Sequence, residues 1–240
     1  MMTTLFEYPK STAYGRVLPK GRIYKRFKPT AAMQKKFFQH VLKISWQHKL
    51  APEIVNIKAT SSVPEIQIFN IALKDEVVKT DILRYIDRAI PSPIVFELMY
   101  DGKIKPIAAF KRPSRADASK WTISEYFDDD WVAADTPRRP LPMSIDFGEL
   151  YGHLLRPLMP YPARLGESLS EQVVRIETIH TKQLELTNCL ECLGKEKYFK
   201  HRVSIHRESC RLEQELVSLT CLHPDSDNST TPPVTEVNYD

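Results

Sequence analysis

Residues 93–112 read PIVFELMYDGKIKPIAAFKR. Two apolar runs flank Asp101-Gly102, a dipeptide suited to the two positive-φ positions of a type I′ turn, so the stretch predicts a β-hairpin. A two-residue turn also sets the register: Tyr100 falls opposite Lys103 and Glu97 opposite Pro106. Because Pro106 has no N–H to give a ladder, the second strand is expected at a sheet edge or bulged.

Working upstream, PEIQIFNIAL (64–73) is apolar on both faces, as in a central strand. Thr80 is expected to cap a short helix with Ile82, Tyr85, Ile86 and Ala89 as its buried stripe, and a weaker strand is expected over 53–59. Thr30 is a suitable N-cap for a helix over about 31–50, with Met33, Phe37, Val41 and Ile44 at helical spacing. Residues 7–29 read as irregular. Downstream, strands over 119–127 and 131–135 bracket Asp128-Asp129-Asp130, and TPRRPLPMS (136–144) reads as loop. A helix over 146–158 then presents Phe147, Leu150, Leu154 and Leu158 on one face.

From Ser168 the pattern becomes helical. Ser168 and Glu171 form a capping-box signature, and a helix is expected to about Leu193, where Gly194 interrupts. A second helix over about 195–221 carries Tyr198, Ile205, Leu212, Leu216 and Leu219. One long kinked helix and an antiparallel pair turning at Gly194 both fit. Residues 223–240, HPDSDNSTTPPVTEVNYD, are polar and proline-containing, as in a disordered tail. The fold class is therefore α+β. A mixed or antiparallel sheet with packed helices spans 1–162, a long helical, coiled-coil-like arm spans 163–222, and a tail spans 223–240.

The chain has 240 residues, 42% hydrophobic and 27% charged, enough to build a sizeable core. No apolar run approaches the roughly 20 residues a membrane span needs, and the N-terminus lacks a signal-peptide layout. Cysteines 189, 192, 210 and 221 sit only in the last quarter, so they read as reduced thiols. A cytoplasmic location is expected. Seven glycines, against about seventeen for average usage, argue against glycine-rich phosphate loops. The net charge of +4 conceals an asymmetry: residues 1–50 hold eleven Lys/Arg against Glu7 alone, a net of +10. Lys20, Arg22, Lys25, Arg26, Lys28, Lys35 and Lys36 are candidate nucleic-acid-binding residues on this ground; a solvated basic face is the alternative.

Three constellations invite a chemical reading. A metal-dependent nuclease would need Glu97 and a lysine on one strand face. The hairpin offers Lys111, which the register places on the opposite face unless Pro106 is bulged. Cys189-x-x-Cys192 would need two more converging zinc ligands, whereas Cys210 lies about 27 Å further along a continuous helix. Asp128-Asp129-Asp130 reads as a solvated turn rather than a cation site. No phosphate-binding loop, nucleophile elbow or His-Glu-x-x-His pair is present. No catalytic residue, metal or cofactor is assigned.

The strings YPKST…LPK, PEIQIFNIALK, LRYIDRAIPSPIVFEL, AAFKR, YFDDDW and KEKYFKHRVSIHRESCRLEQEL occur in that order over most of residues 7–221. In this they resemble an uncharacterised bacterial domain-of-unknown-function family. The proline-rich segment 137–144 and the acidic tail depart from the family's pattern. Its members are typically encoded beside a helicase and a DNA methyltransferase in restriction-like antiphage defence loci. The resemblance implies a non-enzymatic accessory subunit of such a system, contacting DNA and a helicase or methyltransferase partner. Leu212, Leu216 and Leu219 of the arm are candidate partner-binding residues, and self-association through the arm is a further expectation. A divergent nuclease subunit and an interaction protein without nucleic-acid contact are the alternatives.

Overall fold

A computed structural model of the chain describes residues 3–19, 21, 24–25, 28–77, 79–114 and 120–221. The tail expected over 223–240 lies outside them, as do Lys20, Arg22 and Arg26. The chain divides into two compact units, residues 1–160 and 161–240.

The first unit is built on a seven-stranded mixed sheet. Its main path runs β2 (Ala13–Val17), β3 (Val41–Leu50), β4 (Ile66–Leu73), β5 (Ile94–Tyr100), β6 (Lys103–Pro113) and β7 (Trp121–Asp128), with β8 (Val132–Ala133) also on β6. Neighbours are antiparallel except β4 and β5, which run parallel. A parallel pair needs a crossover, and helix α3 (Thr80–Ala89) lies in that connection. Helix α1 (Ala31–His40), capped by the Thr30 hydroxyl, precedes β3, and a single turn α2 (Pro52–Val55) follows it. Helix α4 (Phe147–Leu155), capped by Asp146, continues into a 3-10 turn over Arg156–Leu158. A small parallel ribbon joins β1 (Phe6–Glu7) to β9 (Arg139–Pro140).

The hairpin follows its sequence. Asp101 and Gly102 both take positive φ, 45° and 69°, and Tyr100 pairs with Lys103 as Glu97 does with Pro106. The expectation for Pro106 is corrected: β6 is interior to the sheet. A two-residue turn makes 100/103 a hydrogen-bonded pair, so by alternation 97/106 is a non-hydrogen-bonded one. The missing N–H therefore points away from β5, to the place where the next neighbour changes from β8 (at Ile104) to β7 (at Ile107). The proline sits in a gap between two partners.

The helix expected over 31–50 is also corrected. It ends at His40, and VLKISWQHKL is strand β3. Phe37, Val41 and Ile44 are all buried, so the apolar spacing marked the right side chains with the wrong period. The β-branched and aromatic residues of 41–46 suit a strand held between β2 and β4. The strand expected over 53–59 is instead the turn α2 followed by one bridge, Lys58 to Asp146.

One apolar core cluster lies on the α1/α3 side of the sheet, and Ile68, Val95, Ala108 and Phe127 are buried on the other. Phe37 of α1 and Ile82, Leu83 and Ile86 of α3 pack with Ile44, Phe69, Phe96 and Ile107. An aromatic row crosses this face through Tyr14, Trp46, Phe69, Phe96 and Tyr126, with successive centroids 4.3, 5.7, 6.4 and 6.4 Å apart. Where the β6–β7 register shifts between Ala109 and Lys111, side chains satisfy the freed backbone groups. The Tyr151 hydroxyl donates to Ala109 O (2.6 Å) and accepts from Lys111 N (3.0 Å), and Ser124 Oγ accepts from Phe110 N (2.9 Å).

The second unit is a helical hairpin of α5 (Leu169–Lys195) and α6 (Phe199–Thr220). The capping box at Ser168 and Glu171 is formed. The helices are antiparallel: Arg175 meets Leu219 O (3.2 Å), Lys182 meets Glu215 (2.9 Å), and Cys189 meets Ile205 O (3.4 Å). Gly194 does not interrupt α5; the chain turns over 196–198, where Glu196 accepts from Tyr198 N (2.8 Å). Among the described residues no helix is long and apolar enough to cross a membrane.

Candidate functional site

Glu97 and Lys111 occupy opposite faces of the sheet, as the hairpin register requires. Lys111 points to the α3 side and is only 1% exposed. Its ammonium donates to the carbonyls of Asp87, Ile90 and Ser92 (3.1 Å for the last) and lies 3.5 Å from the Asp87 carboxylate. Three of these acceptors lie at or just beyond the C-terminal end of α3, where exposed carbonyls and the helix dipole favour a cation. Asp87 also accepts from the Tyr126 hydroxyl. Burial outweighs the attraction of Lys111 and pushes the Asp87 carboxyl up to about 6. Burial likewise lowers the Lys111 pKa, with Asp87 opposing it. This lysine is a helix cap whose donors are all spent on the protein.

Glu97 points to the other face and is held in a two-pronged pair by Arg138, at 2.6 and 2.9 Å. Arg138 also donates to Phe6 O (2.9 Å), which fastens the β1–β9 ribbon over the sheet. The Glu97 hydrogen bonds raise the Arg138 pKa. A cavity of about 270 Å³ opens beside this pair, lined also by Tyr8, His48 and Asn70. His48 Nδ1 is 2.9 Å from the Thr12 hydroxyl, and its ring lies 4.9 Å from that of Tyr8. Burial lowers the pKa of His48 and raises that of Tyr8. Sequence reading missed this cluster because residues 7–29 and 136–144 carry no strand periodicity; only the RR dipeptide inside TPRRPLPMS marked it.

Of the basic candidates, Lys25, Lys28, Lys35 and Lys36 are described, and all four are exposed. Lys36 pairs with Asp81; Lys25, Lys28 and Lys35 have no carboxylate partner among the described residues. Arg16 and Lys43, also exposed, share that condition, and Arg16 lies 4.4 Å over the ring of Tyr14 at the edge strand.

The acidic turn is engaged within the protein: Asp128 pairs with Lys105, and Asp129 accepts from the Thr4 hydroxyl (2.7 Å) and from Asp130 N (2.8 Å). Among the described residues no group of three His, Cys, Asp or Glu is placed to hold a metal ion. The four cysteines are free.

The arm candidates are corrected in part. Leu212 is 2% exposed and shares a wall with Glu185, Asn188 and Cys189, so it belongs to the interior of the hairpin. Leu216 and Leu219 are half-buried. The exposed apolar side chains of this unit include instead Leu165, Val174, Leu184, Leu190, Tyr198, Phe199, Val203 and Val217.

A mixed-sheet α+β domain, with a basic and aromatic edge and a helical hairpin as second unit, is the class that fold and site define. The chain belongs to the DUF4391 family, a domain of unknown function whose sequence profile matches residues 6–216. No curated protein and no solved structure matches the chain.

Proposed function

We propose that this protein is a non-catalytic accessory subunit of a bacterial restriction-like antiphage defence complex. In this reading it contacts DNA through its basic N-terminal part and a helicase or methyltransferase through the helical hairpin. The observation that carries the DNA contact is the set of exposed cations, Arg16, Lys25, Lys28, Lys35 and Lys43, which have no carboxylate partner among the described residues, with Arg16 lying over the ring of Tyr14. Unpaired surface cations are stabilised by phosphates and release counterions on binding, and an adjoining aromatic gives a base a stacking face. The partner contact is supported by the exposed Leu190, Tyr198, Phe199 and Val203 around the hairpin turn. Glu97 and Lys111, each held by another residue on its own face, do not support the nuclease alternative.

Titrating fluorescent duplex DNA at several salt concentrations tests this reading. Affinity should fall steeply with salt, and Lys25→Glu/Lys28→Glu/Lys35→Glu should weaken binding alike across sequences while lowering the salt slope by about one per residue. Binding that is absent at low salt, or insensitive to salt, would remove the DNA role. Magnesium- or manganese-dependent cleavage abolished by Glu97→Gln would replace it with the nuclease.

A further inference from the structure

Arg138 and Arg139 are neighbours on β9 with opposite circumstances. Arg138 is paired with Glu97, and its pKa is raised by that pairing. Arg139 has no hydrogen-bond or carboxylate partner for its guanidinium among the described residues. The group lies 4.1 Å over the ring of Phe6, its partner across the ribbon, and its Nε–H is buried without an acceptor. Burial pulls its pKa below the ordinary arginine value, with no acid nearby to oppose the shift. A buried, unanswered donor on a cation is costly.

The residue also borders a space that a ligand could fill. Arg139 opens on a cavity of about 260 Å³ whose other walls are Phe6, His153 of α4, Arg156 of the following turn, and three prolines. Two guanidiniums and an imidazole therefore converge, and no carboxylate is among the lining residues. His153 Nδ1 is engaged by the Ser144 hydroxyl at 3.1 Å, which leaves Nε2 to meet a ligand. Phe6 and the prolines hold the walls stiff, because ring-locked backbone has little freedom to collapse into the space. The cavity is on the Glu97 side of the sheet, whereas α1 with Lys35 is on the other. It is thus a feature separate from the exposed cation of α1.

We infer that this cavity is an oxyanion site that binds a phosphate group through the Arg139 guanidinium, with His153 and Arg156 beside it. Phosphate fits this lining because the planar guanidinium fork of Arg139 meets two phosphate oxygens at once and the imidazole Nε2 adds a further polar contact. The group could arrive as free phosphate or on the end of a nucleotide, and the chemistry at Arg139 is shared.

The test uses the full chain at neutral pH. Inorganic phosphate, a nucleoside monophosphate and a 5′-phosphorylated oligonucleotide are titrated in turn, against chloride and a 5′-hydroxyl oligonucleotide at matched ionic strength. Thermal stability and calorimetry are the readouts. At least one phosphate source should stabilise the protein saturably, and Arg139→Gln should weaken that binding about tenfold or more. Which source binds tightest identifies the origin of the group. In parallel, arginine modification by phenylglyoxal, mapped by peptide mass spectrometry on the unmutated chain, should slow at Arg139 when phosphate is present. That measurement decides the matter if Arg139→Gln does not fold. Lys25→Glu/Lys28→Glu/Lys35→Glu should keep the phosphate response, so failure here is distinguishable from failure of DNA binding. No saturable response to any source, an undiminished response in Arg139→Gln, or unprotected Arg139 would overturn the inference.

Discussion

The two faces of the central sheet each bury an ion pair, yet they are built for different ends. On the α1/α3 face, Lys111 and Asp87 are both nearly inaccessible and surrounded by acceptors and donors of the protein: three carbonyls for the lysine, and the Tyr126 hydroxyl for the aspartate. On the ribbon face, Glu97 is buried but the Arg138 side chain is 29% exposed, and cavities open beside the β1–β9 strands. The first pair closes a structure, because every polar atom it brings inside is spent on ending α3 and tying it to β6 and β7. The second pair fastens a cover whose rim remains accessible. Burial of charge is therefore a poor guide to function here; what separates the two pairs is that both members of one are closed off, whereas the other is reached from solvent through Arg138.

Breaking the closed pair should have the largest effect. Lys111→Met leaves Asp87 buried without its cation and should cost about 3–5 kcal/mol of stability in urea denaturation. Asp87→Asn/Lys111→Met, which removes both charges, should recover much of that loss. A cost under 1 kcal/mol for the single variant would show that the pair is solvated and the contrast between faces false.

The same pair should give the protein a pH signature. The Asp87 carboxyl rises from 3.8 to about 6 on folding, so the folded chain holds this proton more tightly than the unfolded one. Its contribution to stability is complete below 3.8 and is lost as pH rises through 6, by up to about 3 kcal/mol for a shift of this size. The stability difference between the wild type and Asp87→Asn, measured from pH 4 to 7, should show this decline. A flat difference would mean that Lys111 keeps the carboxylate charged throughout.

On the ribbon face the expected loss is smaller. Arg138→Ala removes charge-assisted hydrogen bonds to Glu97 but leaves it beside a cavity that water can enter, at about 1.5–3 kcal/mol. Amide exchange in residues 5–8 should speed up more than exchange in β4. A loss equal to that of Lys111→Met would erase the distinction. The smallest effect is expected at the sheet edge, where Arg16→Ala removes an exposed cation–π contact with Tyr14 worth about 0.5–1 kcal/mol. If the edge serves nucleic acid, DNA affinity should drop by more than stability does.

The sequence by itself determined the hairpin, because Asp101-Gly102 carries its turn type and register in two residues. That register alone separated Glu97 from Lys111. It also determined the central strand β4, the capped starts of α1 and α5, the apolar face of α4, and the apolar residues that form the core. In each case a local signal, a turn dipeptide, a capping side chain or a doubly apolar run, agrees with the tertiary outcome. Tertiary structure alone decided where α1 gives way to β3, since Val41 and Ile44 are spaced for a helix and share the core face of a strand only through the register shift between Val41 and Lys43 that the β4 ladder imposes. It alone made a ribbon of residues 6–7 and 139–140, whose pairing spans more than 130 positions and leaves no periodicity in two-residue strands. It also chose a hairpin over a kink for the last unit, turning past Gly194 at 196–198. Finally, it gave adjacent arginines different roles, because side chains of neighbouring strand residues point to opposite sides and only the fold places Glu97 on one side and an acid-free cavity on the other.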